Sequence, residues 1–313
     1  MSSRRTMALA ITALAVGGLT VFGTPSAQAA AVCPGAGQPT AVVASMPGAA
    51  FEGLTVDTVG RAYTTDLVTG RVYRFDSPGA APVVVASVPS GGAGALAWTP
   101  DGQLLVGYGA DPRVIVGDGL RHAGIVRVDV GSGAVTPFAA GLSAADGLAV
   151  ARDGTVYATN DFGALVGRVT PNGATQADWA RFPSANGAVL GGDDGYLYVS
   201  RTFVNPGVSR IPVGDPGAPQ SLLDLGIGDA PDGLTLDSRE RPVVPFNPSG
   251  TVVRVDSPGS YCVLGSGPGT TSVVSYGRGA QGFSAGRLFA ATFTGVVYEV
   301  PGGFDPAATT AAP

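Results

Sequence analysis

The chain has 313 residues, 45% of them hydrophobic and only 13% charged, with 49 Gly and 25 Pro. Its formal charge is −5, and all its basic residues are Arg, which excludes the cationic surface that nucleic-acid binding draws on. Two cysteines and one histidine exclude a structural zinc site built from soft ligands alone.

The N-terminus carries a leader. Arg4 and Arg5 precede an uncharged apolar run over residues 7–23, and Ala27-Gln28-Ala29 offers a small-residue cleavage site, so residues 1–31 read as a secretory signal peptide. A general secretory leader fits better than a twin-arginine one, because the residues after Ser3-Arg4-Arg5 depart from that motif. The run is too short and too rich in small residues for a membrane anchor, and no second stretch could span a bilayer. Val32 before Cys33 argues against a lipid-modified cysteine. The expectation is an exported, extracellular protein of charge −7 once Arg4 and Arg5 are removed.

Residues 39–45 form one apolar run, an orphan strand. A repeating grammar follows it: an apolar strand, a tight turn, an alternating strand, a loop and a third strand. The clearest copy is DGLAVARDGTVYATN, from Asp146, followed by Gly167-Arg168-Val169. Asp153-Gly154 between two β-runs is a hairpin signal, because Gly accepts a positive φ. Equivalent copies start at Glu52, Gly94, Asn186 and Asp232, and a degenerate one at Thr271, at spacings of 39 to 52 residues. That is the span of a four-stranded propeller blade. The fold class is therefore all-β: a single six-bladed β-propeller over residues 32–303, with the N-terminal strand completing the last blade. Residues 304–313, rich in Ala, Thr and Pro, are expected to be a disordered tail.

Cys33 lies just before the orphan strand and Cys262 near the sixth copy. In an oxidising compartment the isolated pair predicts a disulfide that clamps the closure of the ring.

Innermost strands of a propeller surround a central channel, and their first residues lie at one mouth. Aligned on the grammar, that ring reads Glu52, Gly94, Asp146, Asn186, Asp232 and Thr271. Crowded carboxylates raise one another's pKa, and a hard divalent cation would neutralise them. Against this, Asp-Gly pairs such as those at Asp101, Asp153 and Asp194 serve only to make turns. Loops following the second strands start near Asp66, Tyr108, Asn160-Asp161, Arg201 and Asn247 and should border the mouth. Tyr108, Asn160, Arg201 and Asp146 are candidate substrate contacts, Arg201 as a guanidinium able to grip a carboxylate or hydroxyl, or as a surface residue paired with Asp161 or Asp194. Residues 108–124, with Asp111, Asp118 and His122, could form a lid.

This pattern resembles the regucalcin–gluconolactonase family of six-bladed propellers, which hydrolyse lactones with a divalent metal in the channel. The resemblance spans residues 40–300 and rests on Glu52, Asn186-Gly187 and Asp232-Gly233, which match the family's metal ligands in order. It implies a divalent ion, calcium first and zinc, magnesium or manganese as options, held by Glu52, Asn186 and Asp232. Asp232 is also the implied catalytic base, acting on a small-molecule lactone or ester in a monomer. Where the family often has another Asn, this chain has Asp146, which puts the substrate in doubt. Propellers that open streptogramin rings rely on a histidine deep in the chain, paraoxonase-type propellers on two, and strictosidine-synthase-like propellers on a late Glu. A single early His122, and a Glu299 placed in a terminal strand, fit none of these. The alternative to a hydrolase is a non-enzymatic exported propeller that binds or scaffolds.

Overall fold

A computed structural model describes residues 30–88 and 92–308. Most of the expected leader and the last five residues of the expected tail lie outside this range.

Six four-stranded antiparallel sheets follow one another around an axis. In blades 1 to 5 the strands run in chain order from the channel outward, starting with Phe51–Val56, Ala93–Trp98, Leu148–Val150, Ala185–Leu190 and Thr235–Leu236. Blade 6 takes Thr271–Tyr276, Leu288–Thr292 and Val296–Glu299 from the C-terminal end. Its fourth strand is Ala41–Ser45, paired antiparallel with Val296–Glu299. The ring thus closes by joining the two ends of the chain.

The hairpin grammar has a direct physical origin. The turn between the first two strands needs one left-handed residue, and Gly60, Gly102 and Gly154 supply it with φ of 97°, 80° and 83°. Blades 4 and 5 place Asp194 and Glu240 there instead, both at φ 58°. Each turn is closed by the same short bond, as in Gly60 N–H to the Asp57 carbonyl and Glu240 N–H to the Asp237 carbonyl.

The core is divided into six wedges, each between two consecutive blades. Phe51, Tyr73 and Phe75 of blade 1 meet Phe283 and Phe289 of blade 6, for example. Val, Leu and Ala fill most of the remaining wedges, which explains how a chain with 7% aromatics packs a closed ring. Burying such side chains on both faces of every sheet supplies the main driving force, about 25 cal/mol per Å² of apolar surface.

Cys33 and Cys262 are joined. Cys262 belongs to the outermost strand of blade 5, Ser260–Ser266, not to the start of blade 6. The chain runs beside this strand from Ala31, whose carbonyl accepts from Val263 N–H, while Cys33 N–H donates to the Val263 carbonyl. The bridge therefore pins the N-terminal segment to blade 5 just before that segment completes blade 6. Replacing both cysteines by serine should lower stability by about 2–4 kcal/mol, because the bond closes a long loop in the unfolded chain. Denaturant unfolding of the wild-type and double-variant proteins measures this, and the mouth of the channel should be unaffected.

The expected disordered tail is corrected over residues 304–308. The Asp305 carboxylate accepts from both the N–H and hydroxyl of Ser238, Gly286 N–H donates to the Ala308 carbonyl, and Ala308 is buried. Composition alone hid these anchoring contacts. Among the described residues no helix is long and apolar enough to cross a membrane.

Candidate functional site

The strand register fixes which residues share the ring. Phe51, Ala93, Ala185 and Thr271 pair with the last residues of their second strands, and each is followed by the same irregularity. Glu52, Gly94, Asn186 and Ser272 are therefore equivalent, with Asp146 and Asp232 at the corresponding places of blades 3 and 5. The sixth member is Ser272, not Thr271. Thr271 Oγ1 instead contacts Tyr298 Oη at 2.8 Å within the blade. A slip of one residue in a strand sends the side chain to the opposite face.

The glycine after Glu52, Asp146, Asn186 and Asp232 is a matter of space. A Cβ on Gly147 would lie 2.3 Å from the Asn186 carbonyl oxygen, and one on Gly187 2.7 Å from Gly233 Cα. Adjacent inner strands approach so closely there that only hydrogen fits. A hydroxyl on the second strand then joins the blades. Thr65 Oγ1 accepts from Gly53 N–H and donates to the Gly94 carbonyl of the next blade, at 2.8 and 2.6 Å. Thr159 repeats this between Gly147 N–H and the Asn186 carbonyl. Thr159→Val should cost about 1–3 kcal/mol, since it strands a buried donor and acceptor beside the ring. Chemical denaturation checks this, and a cost below 0.5 kcal/mol, roughly the scatter of surface substitutions, would contradict the bridging role.

Above the ring lies a cavity of about 270 Å³. It is bounded by Glu52, Asp146, Asn186 and Asp232 below, and by one or two residues from the loop after each second strand. Below the ring a narrower channel of about 100 Å³ continues between the inner strands, sharing Glu52, Asp146 and Asn186. The ring thus stands where the axial channel widens into the mouth.

The first residue that each of these loops sends to the cavity is Leu67, Ala110, Asp161, Thr202, Asn247 and Phe293 in turn. Asp161 and Asn247 were among the expected loop starts; Leu67, Ala110 and Thr202 follow one or two places after residues singled out from sequence, and Phe293 was not anticipated. Tyr108, Asn160 and Arg201 do not line the cavity. Tyr108 packs in the wedge between blades 1 and 2. Asn160 is buried, donating to Ser143 Oγ at 2.7 Å and accepting from Phe162 N–H at 3.0 Å. The Arg201 guanidinium donates to the Leu223 carbonyl and to Asp224, at 2.9 and 2.7 Å, rather than to Asp161 or Asp194. Each of these is the last residue of its second strand or the one bridging to the next blade, so alternation turns it away from the axis. The residue after Asn160 and after Arg201 faces the mouth instead.

Residues 108–124 supply Ala110 and Val114 to the wall. They contain a 3-10 turn, Pro112–Val116, and a short helical turn, Gly117–Leu120. Asp118 anchors them by accepting from Ser143 Oγ at 2.6 Å and from Ala164 N–H at 2.8 Å. His122 lies outside the cavity, its Nε2 3.2 Å from the Gly109 carbonyl.

The electrostatics are those of crowded acids. Burial, followed by the charges of Asp146, Asp232 and Asp161, pushes Glu52 far above the carboxylate range. Burial raises Asp146 as well, opposed by the proximity of the Glu52 carboxyl. Burial and the Asp146 charge raise Asp232 to about 8, against the pull of Asn247, Gly233 N–H and Asn186. Asp161 is raised to about 9 by burial, Asp146 and Asp232. None of the described residues lining this cavity is basic.

The donor set suits a hard cation. Asp146 Oδ2 is buried without a partner, and every polar side chain at the ring offers oxygen. Among the described residues no three Asp, Glu, His or Cys side chains form a metal cluster by themselves. Glu52 and Asp232 would need the Asn186 amide oxygen as the third ligand. Asp232 Oδ1 accepts from Gly233 N–H at 2.9 Å and Oδ2 from Asn247 Nδ2 at 2.8 Å, which fixes its plane.

No protein-family model matches the sequence, and no curated protein matches it significantly. Solved structures do. Regucalcin of Agrobacterium tumefaciens, described as a calcium-binding protein, superposes with a TM-score of 0.64 at 19% identity, over 83% of this chain and 92% of that one. A gluconolactonase of Xanthomonas campestris gives 0.64 at 20%, over 84% and 94%. Virginiamycin B lyase of Staphylococcus aureus gives 0.53 at 14%, over 80% and 84%; a His-to-Ala variant of that lyase is described as catalytically inactive. At these identities the likeness carries the fold, a regucalcin- and gluconolactonase-like six-bladed propeller.

Proposed function

We propose that this is an exported hydrolase of lactones or related esters, dependent on a divalent ion held at the channel mouth by Glu52, Asn186 and Asp232. The observation that carries the reading is four carboxylates gathered in and around one cavity with no basic side chain among them, one carboxylate oxygen lacking any partner. Bound there, a divalent ion supplies Lewis-acid polarisation of the scissile carbonyl and acidifies a water.

The chain's own residues do the rest. Asp232 accepts the proton of the attacking water; burial and the Asp146 charge favour its protonated form in the ion-free site, so a bound cation is what would keep it ionised as a base near neutral pH. Asn247 and Gly233 N–H hold that carboxylate in one plane toward the cavity. Glu52 and Asn186 hold the ion, and Asp146, with its Oδ2 unpartnered, lies beside the ligand set as a candidate substrate contact. The wall from Val114 to Phe293 limits water around the reacting carbonyl.

Export is supported by the disulfide and by the leader-like N-terminus. A lyase of the virginiamycin type is not favoured, because the only histidine stands outside the cavity. Metal analysis of the purified protein, with a hydrolysis screen over lactones and simple esters, tests the proposal. An ion in stoichiometric amount and turnover that stops on chelation are expected. Turnover unaffected by chelation would overturn the dependence on a divalent ion, and no turnover of any member would leave the propeller a binding or scaffold protein.

A further inference from the structure

Above the acidic floor the mouth is apolar, and it is held that way. Phe162 and Phe203 stand on the loops of blades 3 and 4 with ring centroids 4.8 Å apart. Both rings line the cavity, yet they are 49% and 46% exposed. Buried polar groups fix their backbones: Phe162 N–H donates to Asn160 Oδ1, and Phe203 N–H to Ser184 Oγ, at 3.0 and 2.7 Å. Leaving two aromatic rings in water is unfavourable, and here side-chain hydrogen bonds are committed to keeping them in place. The same face carries further exposed apolar side chains, Ile115 and Val116 at 62% and 57% and Val204 at 49%. A preorganised apolar rim above a polar floor is the arrangement of a small-molecule site that grips an apolar body and orients one polar group.

Building on the hydrolase reading, we infer that the site selects lactones or esters bearing an alkyl or aryl substituent and discriminates against polyhydroxylated sugar lactones. The carbonyl goes to the floor at Glu52, Asn186 and Asp232, and the substituent lies against the contacting pair Phe162 and Phe203 and against Phe293. Asp161, Thr202 and Asn247 offer polar groups to only part of the wall, so the hydroxyls that a sugar ring presses against the three aromatic rings would go unpartnered, at a cost of about tenfold in affinity per such hydroxyl. An alkyl chain gains about three- to fourfold per methylene removed from water.

Two readouts test this, the first of them separately from catalysis. The first is displacement of the neutral fluorophore N-phenyl-1-naphthylamine from the metal-loaded wild-type protein. γ-Lactones from butyrolactone to undecalactone should compete with affinity rising about threefold per carbon, and gluconolactone should compete at least 100-fold less well than the longest. The second is the ratio of kcat/KM for the long and short γ-lactones. Phe162→Ser with Phe203→Ser should reduce that ratio at least tenfold, while Val59→Ser, an exposed residue in a hairpin turn of blade 1, should leave it unchanged. Because both rings are half exposed, the double variant should fold, and an unchanged melting temperature verifies this. Displacement that follows chain length without any hydrolysis supports the apolar mouth and rejects the hydrolase reading. Hydrolysis that prefers gluconolactone, or affinity independent of chain length, overturns the inference and leaves the hydrolase standing.

Discussion

Replacing Asp232 by Asn is expected to cut lactone or ester hydrolysis by about 10²–10⁴-fold, the range typical of losing a general base. The amide keeps the size of the side chain, so the fold should persist. It removes the charge that would help hold the cation and the oxygen that would take the water proton. Gly233 N–H and Asn247 Nδ2 both donate to this carboxylate, and an amide cannot accept equally at both positions. Ion affinity should fall with the rate. Asp146→Asn should leave ion binding largely intact, since Asp146 stands beside the ligand set. Asp153→Asn is the control: Asp153 Oδ1 only accepts from Thr155 N–H at a hairpin turn, and steady-state kinetics should be unchanged. Full turnover in Asp232→Asn would assign the ring a structural role.

The second large effect concerns pH. In the ion-free protein Glu52, Asp146, Asp161 and Asp232 all have raised folded-state pKa values, from burial and from one another. Unfolded, they titrate near 4. Between that value and about 9, where Asp161 titrates, the folded state binds more protons than the unfolded one. Stability of the ion-free protein must then fall as pH rises through this window, by up to about 1.4 kcal/mol per pH unit for each group that holds a proton only when folded. A divalent ion takes the place of those protons. At a hundred times its Kd it adds about 2.7 kcal/mol, and that gain should grow toward alkaline pH. Melting curves from pH 5 to 9, with chelator and with calcium, measure both slopes. Parallel curves would mean that the ion binds away from these carboxylates.

Much of the architecture was legible because a propeller repeats itself. Five hairpin turns carry the same closing bond, and the orphan strand had one place to go. The ring was legible in the four blades where an acidic or amide residue precedes glycine, a pair imposed by the close approach of neighbouring inner strands. Blade 6 lacks that marker: Ser272 is followed by Val273, and the register slipped to Thr271. The mouth was misread by the same kind of offset. Asp66, Tyr108, Asn160 and Arg201 end or prolong their second strands and turn into the blades, so the cavity is reached by the positions just beyond them. Thr65, Thr159 and Ser200 share one register and each bonds the glycine N–H of the first strand. Counting two places onward from those hydroxyls gives Leu67, Asp161 and Thr202. The period of two was in the sequence; the fixed point from which to count it was not.

Calorimetric titration of chelator-treated protein with calcium at pH 8 tests the central claim most directly. One site per chain is predicted for the wild type and for Asp153→Asn, with the heat lost or the affinity reduced at least 100-fold in Glu52→Gln and in Asp232→Asn. Wild-type affinity retained in both ring variants, or no binding of calcium, magnesium, manganese or zinc to the wild type, would contradict it.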